Sequence, residues 1–318
     1  MRIKDISVEN YRNLNSATIT FDESCNFIVG ENNLGKSNIL NLLNIIFTRR
    51  GFVYDDFNDA NLPITVNIRI KLTNDEIGHF EDLFDIDDYT YINIICKQVS
   101  PDDNMEFYHL ETETYISPTL IKCLNFIYYD SLRNPISEIN FDSSKGVGRF
   151  LSRMIKDYVS NTDINTNNLV DIEFTNDLLT NVNTKLEKIK SFKDHAIKAV
   201  LEGDVSLLFP KLISLQDARG GALSKCGYGI QFLLLVTLSI LNKLQTISDQ
   251  RGETGVFVNE DTGERSISVV LGLDEPEIHL HPYMQRSLIK YLNKVINNDD
   301  SDLKLSIKEL FGIDKLDG

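Results

Sequence analysis

The 318-residue sequence is short of positive charge, of long apolar runs and of organised cysteines. Lysine and arginine number 32 against 47 aspartates and glutamates, a net charge of −15. That balance argues against a DNA-coating surface, because a phosphate backbone rewards a basic face. The longest wholly apolar runs, such as Phe232–Val236, fall far below the roughly 20 residues a membrane helix needs, so no membrane partner is expected. Cys25, Cys96, Cys123 and Cys226 are scattered without metal or redox spacing, which predicts reduced thiols and a cytoplasmic protein. The opening Met1-Arg2-Ile3-Lys4-Asp5 passes straight into a strand pattern, so no secretion leader is expected. No internal repeat or low-complexity tract is present. What remains, 42% hydrophobic and 25% charged residues, is the composition of one large globular domain or two.

The charge is uneven. Residues 51–110 hold 13 acidic and 3 basic side chains, whereas residues 1–50 hold 5 and 6. Most of the negative charge therefore sits in one segment, expected as a solvated face. The neighbouring segment stays free to bind an anion.

Periodicity sketches the chain. Strands are expected at Ile3–Tyr11, Ala17–Phe21 and Asn26–Val29, followed by an amphipathic helix over Ser37–Phe47. Residues 63–74, 89–99 and 106–116 read as strands, with period-two alternation from Thr65, and Leu124–Tyr129 as another. From about 145 to 215 the pattern is helical, with Asn/Thr-rich interruptions at 160–168 and 175–184. Ile230–Leu244 is an apolar helix. A hairpin with its turn at 260–263 leads into a buried strand, Ser268–Leu273, and Tyr283–Asn297 is a further helix.

The most specific signal is Gly30-Glu31-Asn32-Asn33-Leu34-Gly35-Lys36-Ser37. It fits G-x-x-x-x-G-K-[ST] between an expected strand and an expected helix. Glycines let the backbone turn its N–H groups inward onto phosphate oxygens, and the helix N-terminus adds partial positive charge. Lys36 can reach the β- and γ-phosphates, and the Ser37 hydroxyl can ligate Mg²⁺. Gly30, Asn32, Asn33, Leu34, Gly35, Lys36, Ser37 and Asn38 are the candidate ATP contacts. A P-loop ATPase also needs acid at the end of a buried strand, and Ser268–Leu273 ends in Asp274-Glu275. Asp274 would join Ser37 in holding Mg²⁺, and Glu275 would act with Lys36 in catalysis, as general base for the attacking water. His279 and His281 follow closely, but two histidines two apart make no closed metal site.

Asp274-Glu-Pro-Glu-Ile-His-Leu-His-Pro282, with the P-loop near the N-terminus and Asn10-Tyr11-Arg12-Asn13 before it, resembles the ABC-type ATPase module of the RecF/SMC/OLD group. Within that group it is most similar to the N-terminal ATPase domain of OLD-family (overcoming lysogenization defect) endonucleases, which include the Gabija defence nucleases. Tyr128-Tyr-Asp-Ser-Leu-Arg133-Asn-Pro and Ser224-Lys-Cys-Gly227-Tyr-Gly229-Ile-Gln231 are similar to further family segments, the second to the ABC signature motif. The resemblance implies an α/β fold, an ABC-type P-loop ATPase with a β-rich subdomain and an inserted helical segment that contributes to dimerisation. It divides the chain into an ATPase lobe over 1–144, the helical insertion over 145–215 and a second lobe over 216–318.

It also implies ATP sandwiched between two heads, each giving Ser224, Gly227 and Gly229 to the other's nucleotide. Physically that segment is a second anion site at a helix N-terminus, or a plain helix start with glycine hinges. Arg12 would lie near the nucleotide by resemblance, or be a surface arginine. Arg133 would be a phosphate sensor or a structural ion pair.

Two family features have no counterpart. No Thr-His-Ser-type segment follows Asp274, and no Toprim acidic set is present: the Asp85-Ile86-Asp87 run lacks that context. The expectation is an ATPase portion with impaired hydrolysis, serving a DNA nuclease whose Toprim domain lies outside this chain, in antiviral defence. The alternatives are a stand-alone ABC-type switch for a protein partner and a RecF-like DNA-repair ATPase.

Overall fold

A computed structural model describes residues 1–23, 25–131, 134–141, 146–160, 172–186, 213–216, 220–250, 255–278 and 280–317. The chain forms two units, one of Met1–Asn134 with Gly227–Gly318 and one of Pro135–Cys226. The expected insertion at 145–215 lies within the second. Of the two expected lobes, 1–134 and 227–318 fall in the first unit, and 135–144 and 216–226 fall in the second.

The first unit holds two sheets. Strands β1 (Arg2–Glu9), β2 (Ala17–Thr20), β3 (Ile64–Lys71), β4 (Tyr91–Gln98) and β5 (Glu106–His109) form an antiparallel sheet in the order β2-β1-β3-β4-β5. Alternation decides which face is buried. Ile64, Val66, Ile68 and Ile70 of β3 and Ile92, Ile94 and Cys96 of β4 all point into one core. Helix α1 (Lys36–Thr48) presses Ile39, Leu42, Leu43 and Ile46 onto that core. Short helices α2 (Asn74–Ile77) and α3 (Pro118–Ile121) lie between strands.

The second sheet centres on β8 (Arg265–Leu273). Strand β6 (Asn125–Tyr129) runs parallel to its C-terminal half, β7 (Phe257–Val258) antiparallel to its start, and β9 (Lys315–Asp317) parallel to 266–268. The expected hairpin turn is present, closed by Gly263 in the left-handed region at φ 72°. Helices α7 (Tyr228–Gln250), α8 (Pro282–Ile296) and α9 (Ser301–Phe311) complete the unit. Over Tyr228–Ser248, α7 is long and apolar enough to cross a bilayer. Here it serves as a core helix: Leu235, Val236, Ile240, Leu244 and Ile247 are buried, and the buried Tyr129 hydroxyl donates to the carbonyls of Leu235 and Val236.

The second unit contains α4 (Pro135–Glu138), α5 (Gly146–Ser160) and α6 (Ile172–Leu186). Phe141, Leu151, Met154, Ile155, Tyr158, Val159, Ile213 and Leu215 line an apolar cavity of about 480 Å³. Residues 161–171 and 187–212, where more helix was expected, lie outside the described residues.

Three expectations need correction. Asn26–Val29 is not paired into either sheet, and Phe27 and Val29 are 66% and 89% exposed. The interruption expected at 175–184 is continuous helix: the Thr180 and Thr184 hydroxyls donate to the carbonyls of Asn176 and Thr180, which satisfies them within the helix. The acidic segment is not wholly a solvated face. Asp56 and Glu76 are buried, Asp56 against Arg12, and Glu76 against the Met1 amino group and the Ser268 hydroxyl. Burial pulls the pKa of that amino group below its ordinary value, and the Glu76 carboxylate partly offsets the shift.

Candidate nucleotide site

The G-x-x-x-x-G-K-S segment wraps the start of α1. Gly35 stands just before the helix at φ 97°, and Asn33 also occupies the left-handed region at φ 70°. Together they reverse the chain over residues 30–35. No side chain caps the helix start and its first turn holds no acid, so the first N–H groups keep their partial positive charge for an anion. The Lys36 ammonium donates to the carbonyls of Gly30 (2.7 Å) and Glu31 (2.8 Å), which bends its stem back across the loop. Asn32, Asn33 and Leu34 are exposed.

The turn after β1 holds this loop from outside. Asn13 Nδ2 donates to the Asn33 carbonyl (3.2 Å), and its Oδ1 accepts from Asn38 Nδ2 (2.7 Å). A Cβ on Gly35 would stand 2.8 Å from Asn13 Oδ1, so only glycine permits this approach. Arg12 Nη1 donates to Asn38 Oδ1 (2.8 Å), and Arg12 pairs with Asp56 at 2.7 Å. Asn10 pins the segment opposite through the carbonyls of Asp59 and Leu62. Asn13 was missed as a functional residue. Its signal was its place in Asn10-Tyr11-Arg12-Asn13, where each polar side chain has a separate anchor.

Ser37 and Asp274 meet. The Ser37 hydroxyl donates to Asp274 Oδ1 at 3.0 Å. Parallel pairing of β6 with β8 sets Tyr128 opposite Gly272, and the Asp274 N–H donates to the Tyr129 carbonyl at 2.9 Å, continuing the ladder one residue past β8. Burial, then the charges of Asp274 and Asp130, push the pKa of the Tyr128 hydroxyl up to about 12. Glu275 is exposed and stands at φ 47°, a strained backbone for a non-glycine residue.

The remaining candidates fall elsewhere. Ser224 lies exposed in a helical turn, Leu223–Lys225, of the second unit. Gly227, exposed at the start of the other stretch of the first unit, accepts from the Ile230 N–H as α7 begins. Gly229 is buried, and a Cβ there would sit 2.7 Å from Met284 Cε, so close helix packing explains this glycine. His281 caps α8, its Nδ1 accepting from the Tyr283 N–H at 3.3 Å. Arg133 and His279 lie outside the described residues. Among the described residues no group of three or more metal-ligating side chains forms.

The donors fit the expected group. The 3.0 Å between the Ser37 and Asp274 oxygens is close to the about 2.9 Å separating neighbouring ligands of an octahedral Mg²⁺. Both are hard oxygen donors beside a helix start open to phosphate. An α/β fold with a P-loop at a helix start, facing an aspartate at the end of a parallel strand, defines a P-loop ATPase of the ABC type. The chain belongs to the AAA ATPase domain family, whose model matches residues 1–199 and 143–305. It is 25% identical over 270 residues to the DNA replication and repair protein RecF of Thermoanaerobacter sp. (strain X514), and equally to that of Thermoanaerobacter pseudethanolicus (strain ATCC 33223 / 39E). The match takes in 81% of this chain and 62% of the length of each RecF protein. Among solved structures it is similar to the recombination mediator protein RecF with ATP in the RecFOR pathway, at 14% identity and a TM-score of 0.44 over 99% of this chain and 92% of that one.

Proposed function

We propose that this chain is an ATP-binding and ATP-hydrolysing head whose nucleotide state switches an action on DNA. The observation that carries it is the contact between Ser37 and Asp274 at the open start of α1. The loop N–H groups and Lys36 bind the phosphates, while Asn13 and Asn38 keep the loop in shape. Lys36 leaves the carbonyls of Gly30 and Glu31 to do so. Ser37 and Asp274 hold Mg²⁺, which when bound neutralises charge on the phosphate oxygens. Glu275, exposed beside them, orients the attacking water and takes its proton.

The same reading makes the working form a dimer of heads. Ser224 and Gly227 are exposed, as residues given to a partner's nucleotide must be, and Gly229 lets the start of α7 pack closely on Met284. It also puts the protein in the cytoplasm; among the described residues no disulfide joins the four cysteines.

The likeness to RecF proteins over 81% of the chain favours a repair-type ATPase as the wider role. A second reading, an OLD-type nuclease head in antiviral defence, rests on the run from Asp274 to Pro282 and on the segment that begins at Tyr128. Cleavage of supercoiled plasmid by the intact protein with Mg²⁺ or Mn²⁺ selects the second reading, and ATP-dependent DNA binding without cleavage selects the first. For the head itself, phosphate release is the test: wild-type protein hydrolyses ATP and Glu275→Gln loses at least about 100-fold, the scale of general-base catalysis. Equal rates in the two proteins would refute the assignment of Glu275.

A further inference from the structure

Lysine and arginine are scarce in this chain, so the place where they gather is informative. Helix α8 has 15 residues, three of them cations and none an acid. Arg286, Lys290 and Lys294 follow one another at four-residue steps, which sets them in a row on one face. All three are exposed, as are Tyr283 and Asn293 on the same face. The opposite face carries Leu288, Leu292 and Val295, all buried. Burial of that apolar stripe turns the cationic row toward solvent.

The helix dipole accounts for Lys294, which lies in the last turn, but not for Lys290 and Arg286, one and two turns earlier. Ion pairing does not account for them either. Arg69 meets Asp85, Lys308 meets Asp314 and Lys315 meets Asp75, whereas the three cations of α8 meet no acid among the described residues. Arg286 Nε donates to the Pro282 carbonyl at 3.4 Å, which ties its stem to the helix and leaves its two terminal nitrogens for another partner. Each four-residue step advances about 6 Å along a helix. One strand of duplex DNA carries a phosphate per about 3.4 Å of its axis. The row is therefore spaced to meet alternate phosphates of one strand. A lipid surface fits less well: a helix lying on a membrane sinks its apolar face into it, and here that face is buried within the protein.

We propose that the exposed face of α8 is a docking surface for the phosphate backbone of double-stranded DNA, with Arg286, Lys290 and Lys294 each neutralising a phosphate. The proposal rests on the reading of this chain as a head that acts on DNA. Its contacts are to phosphates, so the binding depends on salt and not on base sequence. The chain's overall negative charge confines such binding to the few places where cations stand unpaired. The segment from Glu275 to His281 runs from the end of β8 directly into α8, so the nucleotide site and this surface share one continuous stretch of chain.

The test follows the anisotropy of a fluorescein-labelled DNA duplex as the full chain is added, with ATP and Mg²⁺, at salt from about 50 to about 200 mM. Arg286→Gln/Lys290→Gln/Lys294→Gln removes the row. It is expected to weaken duplex binding at least about 10-fold and to make the slope of log affinity against log salt shallower by about 3, at about 0.9 for each phosphate contact. Its thermal unfolding midpoint, and its ATP hydrolysis without DNA, are expected to stay at the wild-type values. Lys71→Gln/Lys97→Gln/Lys308→Gln loses the same charge from other surfaces and is expected to bind the duplex as wild type does. Equal weakening in the two triple variants overturns the proposal in favour of net charge alone. Duplex binding that the α8 variant keeps in full overturns the surface and leaves the action on DNA standing. No duplex binding by the wild-type chain at any salt overturns both together. Loss of binding to phosphatidylglycerol vesicles, with duplex binding unchanged, overturns the proposal in favour of a membrane surface.

Discussion

Ser37 donates to Asp274 across 3.0 Å, joining the first turn of α1 to the end of β8 over 237 residues of chain. Neither residue has reason to meet the other unless the phosphate-binding helix and the parallel strand are built together. The two should therefore act as one unit toward the cation. Ser37→Ala and Asp274→Ala are each expected to weaken Mg²⁺-dependent nucleotide binding, and the double variant to lose less than the sum, with a coupling of about 1–3 kcal/mol. Binding titrations on the four proteins check this, and strict additivity would count against a shared site.

The close approach of α1 to the second sheet depends on Gly272. A Cβ there would lie 2.6 Å from Phe126 Cζ and 3.3 Å from Leu40 Cδ2. The Phe126 ring has little room to retreat, because it packs on Phe47 with ring centroids 6.2 Å apart. Gly272→Ala is expected to destabilise the protein by about 1–3 kcal/mol through overpacking. Adding Phe126→Leu should recover part of the loss in a urea unfolding series. No difference between Gly272→Ala and wild type would show that the face is looser than described.

Arg12 is held by Asp56 and Asn38, which gives it a structural task whatever it does for nucleotide. The Asp56 side chain is 2% exposed, and its other oxygen accepts from the Val53 N–H at 2.9 Å. Arg12→Ala leaves that carboxylate buried without its cation. The guanidinium is itself one-third exposed, so part of the pairing is screened. The expected loss is about 1–3 kcal/mol, below that of a fully buried pair. Arg12→Ala/Asp56→Ala should be more stable than the two single losses predict. A single variant as stable as wild type would contradict the pairing.

Much of this was legible in the sequence wherever one periodicity governed one element. The alternation from Thr65 became β3, and the apolar stripe after Lys36 became α1. The loop itself was legible because glycine, lysine and serine at fixed spacing answer to one chemistry. Asn26–Val29 was misread because four residues of apolar character do not show whether a neighbour will pair with them. Strand β9 and helix α9 went unread: three residues, Lys315–Asp317, become a strand only because β8 offers an edge. Asp56 and Glu76 looked like solvated charge because their partners, Arg12 and the Met1 amino group, are far away in sequence. Asn13 was hidden for the same reason: its role lies in contacts across the fold, with the Asn33 carbonyl and the Asn38 side chain.

Alkaline pH gives an independent check on packing between α7 and α8. The Tyr291 hydroxyl is hydrogen-bonded to Thr237, and burial raises its pKa above the ordinary value, with Thr237 opposing and Asp300 assisting. A raised folded-state pKa means that its contribution to stability is fully present below about pH 10 and is lost as pH climbs through the folded-state value. Stability from urea unfolding should therefore fall above pH 10, and less steeply in Tyr291→Phe. Parallel pH profiles in the two proteins would place Tyr291 in contact with water.

The most direct test of the central claim is equilibrium binding of a fluorescent ATP analogue to the wild-type chain and to Lys36→Ala in the presence of Mg²⁺. Lys36 is the one cation of the loop, and it reaches across the carbonyls of Gly30 and Glu31. A charge-assisted contact of this kind contributes about 1.5–3 kcal/mol. The account predicts saturable binding by the wild-type chain that Lys36→Ala weakens at least about 10-fold. Equal affinity in the two proteins, or no binding by the wild-type chain, would contradict it.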